Sequence, residues 1–273
     1  MTSRFDADTA LARQGDGTFA GRIDRGWWVE RGPNGGYIAA LILRALTMAV
    51  EDQHRDAARE PRSLTVQYLA PPAEGPARVA TTVERAGRSL TMLSARLLQE
   101  DQPLALALAT FAAPRSGVAF AEAAMPAAPP PEECPPFPPP GTALAPINAR
   151  YEYRWAIGAP PFSGGAQARA GGWLRLAEPR PVDYPLAAAF TDAWAPAVFS
   201  RLPGPVGVPT IDLTIHFRAR LPRPGARADD FHLAVFQTRL ATEGFIEEDG
   251  EIWSRDGTLI AQSRQLAPLP AER

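Results

Sequence analysis

The sequence predicts an α+β protein built from two copies of one unit, a buried helix followed by antiparallel strands. Three observations carry that prediction. One is a nearly uncharged stretch that opens with helix-capping residues. The second is a series of alternating segments punctuated by turn residues, and the third is the return of the same order beyond a proline-rich stretch. The 273 residues, 45% of them hydrophobic, suffice for one large core or two ordinary ones.

The helix comes first. In "GPNGGYIAALILRAL" (Gly32 to Leu46), Asn34 is placed to cap a helix from Gly35 to about Val50. Ile38, Leu41, Ile42, Leu43, Leu46 and Met48 surround its axis, interrupted only by Arg44. A helix apolar on all sides either spans a membrane or is wrapped by its own fold. At about sixteen residues it falls short of the roughly 20 that a bilayer requires, so the buried reading is preferred. Strands follow at "SLTVQYLAP" (Ser63 to Pro71), "ARVATTVERAG" (Ala77 to Gly87) and "LTMLSARLLQ" (Leu90 to Gln99). The turn "EDQP" (Glu100 to Pro103) then leads into "LALALATFAAP", and the run reads as an antiparallel meander.

The stretch Met125 to Pro146 holds ten of the 30 prolines and reads as an extended, semi-rigid linker. It divides the chain into 1–114, a linker over 115–149, and 150–273. The second part repeats the order of the first. "GWLRLA" (Gly172 to Ala177) reads as a strand, and Asp183 caps a helix over "YPLAAAFTDAW" with Pro185 in its first turn. "TIDLTIHFRARL" and "FHLAVFQTRLA" read as strands, and "GEIWSRDGTLIAQSRQLAP" as a hairpin turning at Asp256-Gly257. Asn34 falls on Asp183 and Leu64 on Leu213 at a separation of 149, while the last hairpins align at 155, with Thr110 on Gln265.

Several function classes are disfavoured. The formal charge of −2 gives no electrostatic footprint for nucleic acid. The single cysteine, Cys134, allows no internal disulfide and fits a reducing compartment. The opening segment lacks an apolar signal core, so a cytoplasmic protein without membrane insertion is expected. The glycines after Asn34 match neither a phosphate loop nor a dinucleotide fingerprint, no G-x-S-x-G elbow occurs, and no histidine–cysteine set has zinc spacing.

The repeat register selects candidate site residues. Asp192 falls on Leu43, within a helix otherwise built from Ala188, Ala189, Phe190, Ala193 and Trp194. A carboxylate there is costly unless paired or hydrogen-bonded, and only one of the two copies bears that cost. The structural alternative is a shorter helix, with Asp192 capping its continuation at a surface. Thr210 falls opposite Pro61 and has strand entry as its plain role; Gln265 could be a polar residue on a half-exposed last strand. Trp27, Trp28, Tyr37 and Tyr68 read as core packing rather than a wall for a ligand.

A long apolar helix lying across a curved antiparallel sheet is the hot-dog arrangement, and its tandem form is the double hot-dog. The chain resembles the acyl-CoA thioesterase II family and the wider thioesterase-like superfamily. The resemblance rests on "GPNGGYIAALILRAL", "SLTVQYLAPP" and "VERAGRSLTMLSARLLQEDQPLALALATFAAP" in the first half, and on "FTDAW", "PTIDLTIHF" and "DGTLIAQSRQLA" in the second. It implies that Asp192, Thr210 and Gln265 hold a hydrolytic water. The segment after Asp192 is shorter than the family pattern, and Leu213 stands where a histidine often follows the second aspartate, here Asp212.

The implied activity is hydrolysis of acyl-CoA, with no cofactor beyond the coenzyme A of the substrate. Asp192 would act as base or orient the water, and the amides of Gly35 and Gly36 would face the thioester oxygen. That the two glycines merely permit close packing is the plainer alternative. Self-association into a homo-oligomer is expected because antiparallel edges tend to be extended or covered. Two rivals stand: a hot-dog enoyl-CoA hydratase using Asp212 and His216, four apart on one strand face, and a non-catalytic acyl-CoA binding module.

Overall fold

The computed structural model describes residues 3–54, 58–139, 141–142 and 145–269. Positions 140, 143 and 144 of the expected linker, and the chain ends 1–2 and 270–273, lie outside the described residues. In chain order the elements are α1 (Arg4–Asp8), β1 (Ala12–Gly15), β2 (Thr18–Ile23), α2 (Gly35–Gln53), β3 (Glu60–Tyr68), β4 (Gly75–Ala86), β5 (Leu90–Gln99) and β6 (Gln102–Ala112). There follow β7 (Pro136–Phe137), β8 (Tyr151–Ile157), β9 (Arg169–Leu176), α3 (Tyr184–Phe190), β10 (Asp212–Phe217), β11 (His232–Gln237), β12 (Ala241–Thr242), β13 (Phe245–Ser254) and β14 (Leu259–Pro268).

The strands form one continuous antiparallel sheet, in the order β1-β2-β4-β5-β6-β3-β10-β14-β13-β11-β9-β8-β7, with β12 beside β13. The expected meander is corrected here: β3 pairs with β6, and β4 pairs with β2 and β5. Outward from the β3–β10 junction, one arm runs β6-β5-β4-β2 and the other β14-β13-β11-β9. At the junction Thr65 faces Thr214, their hydroxyls 3.1 Å apart. These residues are separated by 149, the offset read from the sequence, so the junction relates the two arms by an approximate two-fold.

α2 begins where Asn34 caps it, its Oδ1 accepting from the Tyr37 amide at 3.0 Å. It runs 19 residues to Gln53, three beyond the expected end. Ile38, Leu41, Ile42, Leu43 and Leu46 are buried, as a helix apolar all round must be. No described helix is long and apolar enough to cross a membrane. Trp27 stacks on Tyr37 with centroids 5.0 Å apart, and both are core.

α3 departs from the sequence expectation. Asp183 caps it, accepting from the Leu186 amide at 2.9 Å, but the helix stops at Phe190 instead of continuing through Trp194. Thr191 Oγ1 donates to Ala188 O, and the amides of Asp192 and Ala193 reach back three residues rather than four. This tightens and ends the last turn. Pro196 then excludes further helix. Asp192 therefore sits on the turn leaving α3.

The proline-rich stretch packs against the fold rather than running free of it. β7 pairs with β8 at the sheet edge, where proline is tolerated. Phe137 lies against Trp155 and Trp194, and Trp173 Nε1 donates to Pro129 O.

Candidate active site

α2 and α3 meet at their ends. The alanine-rich last turns of α3 present no bulk, so the first turn of α2 closes on its backbone. A Cβ on Gly36 would lie 2.6 Å from Ala189 O and 3.0 Å from Asp192 Cβ; one on Gly35 would lie 3.0 Å from Asp192 Oδ2. Gly36 is thus required by the approach itself, while a side chain at Gly35 would force Asp192 or Tyr68 to give by a few tenths of an ångström.

Across this contact the start of α2 grips Asp192. Asn34 Nδ2 donates to Asp192 Oδ2 at 2.9 Å and to its backbone oxygen at 2.6 Å, and the Gly36 amide donates to Oδ2 at 2.9 Å. Asn34 therefore caps α2 with its oxygen and binds Asp192 with its nitrogen. Tyr68, at the end of β3, donates its hydroxyl to Gly35 O at 2.7 Å and fixes the same turn from the other side. Burial pushes the Asp192 carboxyl up to about 6, against the hydrogen bonds of Gly36, Gly35, Asn34 and Gln265, which favour its charged form. A helix N-terminus also favours a carboxylate. The group is therefore poised to exchange a proton near neutrality.

Thr210, two residues ahead of β10, donates its hydroxyl to Gln265 Oε1 at 2.9 Å. Gln265, buried on β14, donates its Nε2 to Glu248 Oε1 at 2.8 Å. Glu248 stands directly opposite on β13, and its Oε2 accepts from the Ala197 amide at 2.5 Å. Burial pushes the Glu248 carboxyl up to about 7.

The structure thus brings Asp192, Thr210, Gln265, Gly35 and Gly36 together from both arms of the sheet. Two expectations change. The Gly36 and Gly35 amides are both engaged by Asp192 and so are not free to face a substrate oxygen. With Leu64 on Leu213, Gln265 falls on Ala109 rather than Thr110, because Ala109 pairs with Leu64 and Gln265 pairs with Leu213. A one-residue slip reverses the face; Ala109 points inward as Gln265 does.

The surface alternative for Asp192 does not hold, since α2 covers it. Asp212 and His216 lie on the outer face of β10, His216 exposed. Sequence reasoning missed Asn34 as a ligand of Asp192, and missed Glu248 altogether. Among the described residues no cluster of metal-ligand type occurs.

Known proteins share this architecture. The acyl-CoA thioesterase N-terminal domain matches residues 24–112, and the acyl-CoA thioesterase C-terminal domain matches residues 131–269. The chain is similar to a conserved protein of unknown function with a hot-dog fold from Alicyclobacillus acidocaldarius, at 30% identity over 100% of both chains with a TM-score of 0.89. It is also similar to an acyl-CoA thioesterase II from Mycobacterium marinum, at 20% identity over 98% of both chains with a TM-score of 0.78. An uncharacterized protein of Mycobacterium tuberculosis is 26% identical, over 93% of this chain and 91% of its own length. With both matched domains lying on one hot-dog sheet, and together spanning most of its length, the chain belongs to the acyl-CoA thioesterase family.

Proposed function

We propose that the chain is an acyl-CoA thioester hydrolase, a tandem double hot-dog of residues 1–114 and 150–273 joined by 115–149, with one working site. The observation that carries this reading is Asp192, a carboxylate held at a helix N-terminus beside the hydrogen-bonded pair Thr210 and Gln265. A water seated among the three gives up a proton to Asp192 as its oxygen attacks the thioester carbon. The partial positive charge at the N-terminus of α2, rather than a free Gly35 or Gly36 amide, favours the oxyanion that develops. Collapse of the tetrahedral intermediate breaks the carbon–sulfur bond, and the proton passes to the departing thiolate. The products are a carboxylic acid and free coenzyme A, with no further cofactor.

A cytoplasmic setting suits the single buried thiol of Cys134. Exposed Leu108 and Met92 on the outer face of β6 and β5 support self-association. The hydratase reading loses its acid–base pair, because Asp212 and His216 face away from the helices.

The test is free-thiol release from acyl-CoA substrates of short, medium and long chain, for the natural protein beside Asp192→Asn. Release that collapses in the variant supports the hydrolase; equal release removes Asp192 from the mechanism. No release from either protein favours a binding module.

A further inference from the structure

Glu248 is buried, and its partners among the described residues are amides rather than cations. Burying a carboxylate this way is costly. The fold does not demand it, since the matching position in the other arm is Leu93, which stands opposite Ala109 as Glu248 stands opposite Gln265. We propose that Glu248 is a positioning residue, whose carboxylate decides which end of the Gln265 amide faces Thr210 and thereby how the attacking water is oriented. The proposal rests on the hydrolase reading.

The argument is one of donors and acceptors. An ionised carboxylate only accepts, and an amide side chain has one accepting and one donating end. Glu248 therefore draws Nε2 of Gln265 to itself and turns Oε1 towards Thr210, the arrangement observed. Thr210 has a single hydroxyl proton, and it goes to that Oε1. What Thr210 has left for a water is lone pairs. A water between Thr210 and Asp192 then donates one proton to each, and its own lone pairs stay free for the thioester carbon. With the Gln265 amide reversed, Nε2 would donate to Thr210, the hydroxyl proton would point at the water, and a lone pair needed for attack would be occupied.

Glu248 has a second anchor. The Ala197 amide opens the short turn Ala197–Ser200, a few residues beyond Asp192, so one carboxylate ties the segment carrying the base to the strand carrying Gln265.

The experiment compares Glu248→Gln with the double variant Glu248→Gln/Gln265→Glu. In the single variant one amide oxygen must serve two donors, the Ala197 amide and Gln265 Nε2, so the Gln265 amide is free to turn. We expect kcat to fall about 10- to 100-fold with KM within about twofold. In the double variant the carboxylate has moved across the strand pair and the hydrogen bonds are again satisfied. Tm should return towards the natural value while kcat does not. Recovery of kcat and Tm together would make Glu248 merely structural and overturn the proposal.

A second readout does not depend on turnover. The side-chain amide of Gln265, observed by nitrogen-15 NMR, should give two dispersed, slowly exchanging protons in the natural protein and lose that signature in Glu248→Gln. An unchanged signature overturns the proposal. If the natural protein releases no thiol from any acyl-CoA, the hydrolase reading fails by itself, and the NMR comparison alone decides whether Glu248 orients Gln265.

Discussion

On β13 and β14, Glu248 faces Gln265; on β5 and β6, Leu93 faces Ala109. The helices differ in the same sense. Asn34 and Asp183 begin α2 and α3 at equivalent places, yet the position of Leu43, inside α2, is taken by Asp192 on the turn leaving α3. One arm of the sheet thus carries carboxylates and an amide where the other carries aliphatic side chains, under the same backbone. The polar set is not a requirement of the sheet. It is an addition that costs desolvation and is tolerated in one arm because α3 ends early and the first turn of α2 supplies donors.

The sharpest way to break that comparison is to install the acid in the wrong arm. Leu43→Asp places a carboxylate at a fully buried helix position with no capping donors around it. We expect a loss of about 4 kcal/mol or more, read as a collapsed thermal transition.

Next is Asp192→Asn, which makes the polar arm neutral while keeping its shape. Thiol release should fall by about 10²- to 10⁴-fold. The protein should meanwhile become more stable at pH 8. A carboxyl raised to about 6 from its ordinary 3.8 represents a penalty on the order of 3 kcal/mol at about 1.4 kcal/mol per pH unit. A variant both inactive and more stable would separate function from fold.

Gly36→Ala tests the contact between the helices. Its Cβ cannot fit beside Ala189 O, so α2 must withdraw from Asp192. We expect a loss of about 2 kcal/mol in denaturant unfolding, together with loss of activity.

The smallest effect is in pH dependence. Asp192 and Glu248, at about 6 and about 7, share Gln265 and titrate as a pair. Activity needs the ionised forms, so kcat/KM should rise through pH 6 to 7. Stability should move the other way. Both carboxyls are raised above their unfolded values, so the native state holds more protons between pH 4 and 7, and stability falls as pH rises through that window. A flat stability profile would show that these carboxyls are solvated.

Much of this architecture was legible in the sequence. The cap residue Asn34, the strand Leu90–Gln99 and the Asp256-Gly257 turn lie where local chemistry places them. What escaped depended on contacts between distant segments. The sequence predicts α3 through "FTDAW" because alanine favours helix, while the closing bonds of Thr191 and the proline that follows win locally. The strand Tyr151–Ile157 went unnoticed although Tyr151 and Tyr153 alternate with polar residues.

Glu248 was hidden because "EEDG" resembles turn chemistry. Carrying the alternation back from Ile252 through Gly250 to Ile246 would have turned Glu248 inward, where it lies. Asp192 stands out as a polar departure from the repeat, whereas Thr210 and Gln265 gain their weight from the family resemblance. Asn34 as the partner of Asp192 could not be found this way, because 158 residues separate them.

That separation has a consequence for behaviour at low concentration. Asp192 comes from one arm and the donors that hold it from the other, yet both are on one chain. Their encounter is intramolecular, with an effective concentration set by the connecting chain and the continuous sheet. Two separate subunits offering the same groups would come apart on dilution and lose the site with it. Here the pairing of Asn34 and Gly36 with Asp192 is independent of how many molecules surround it.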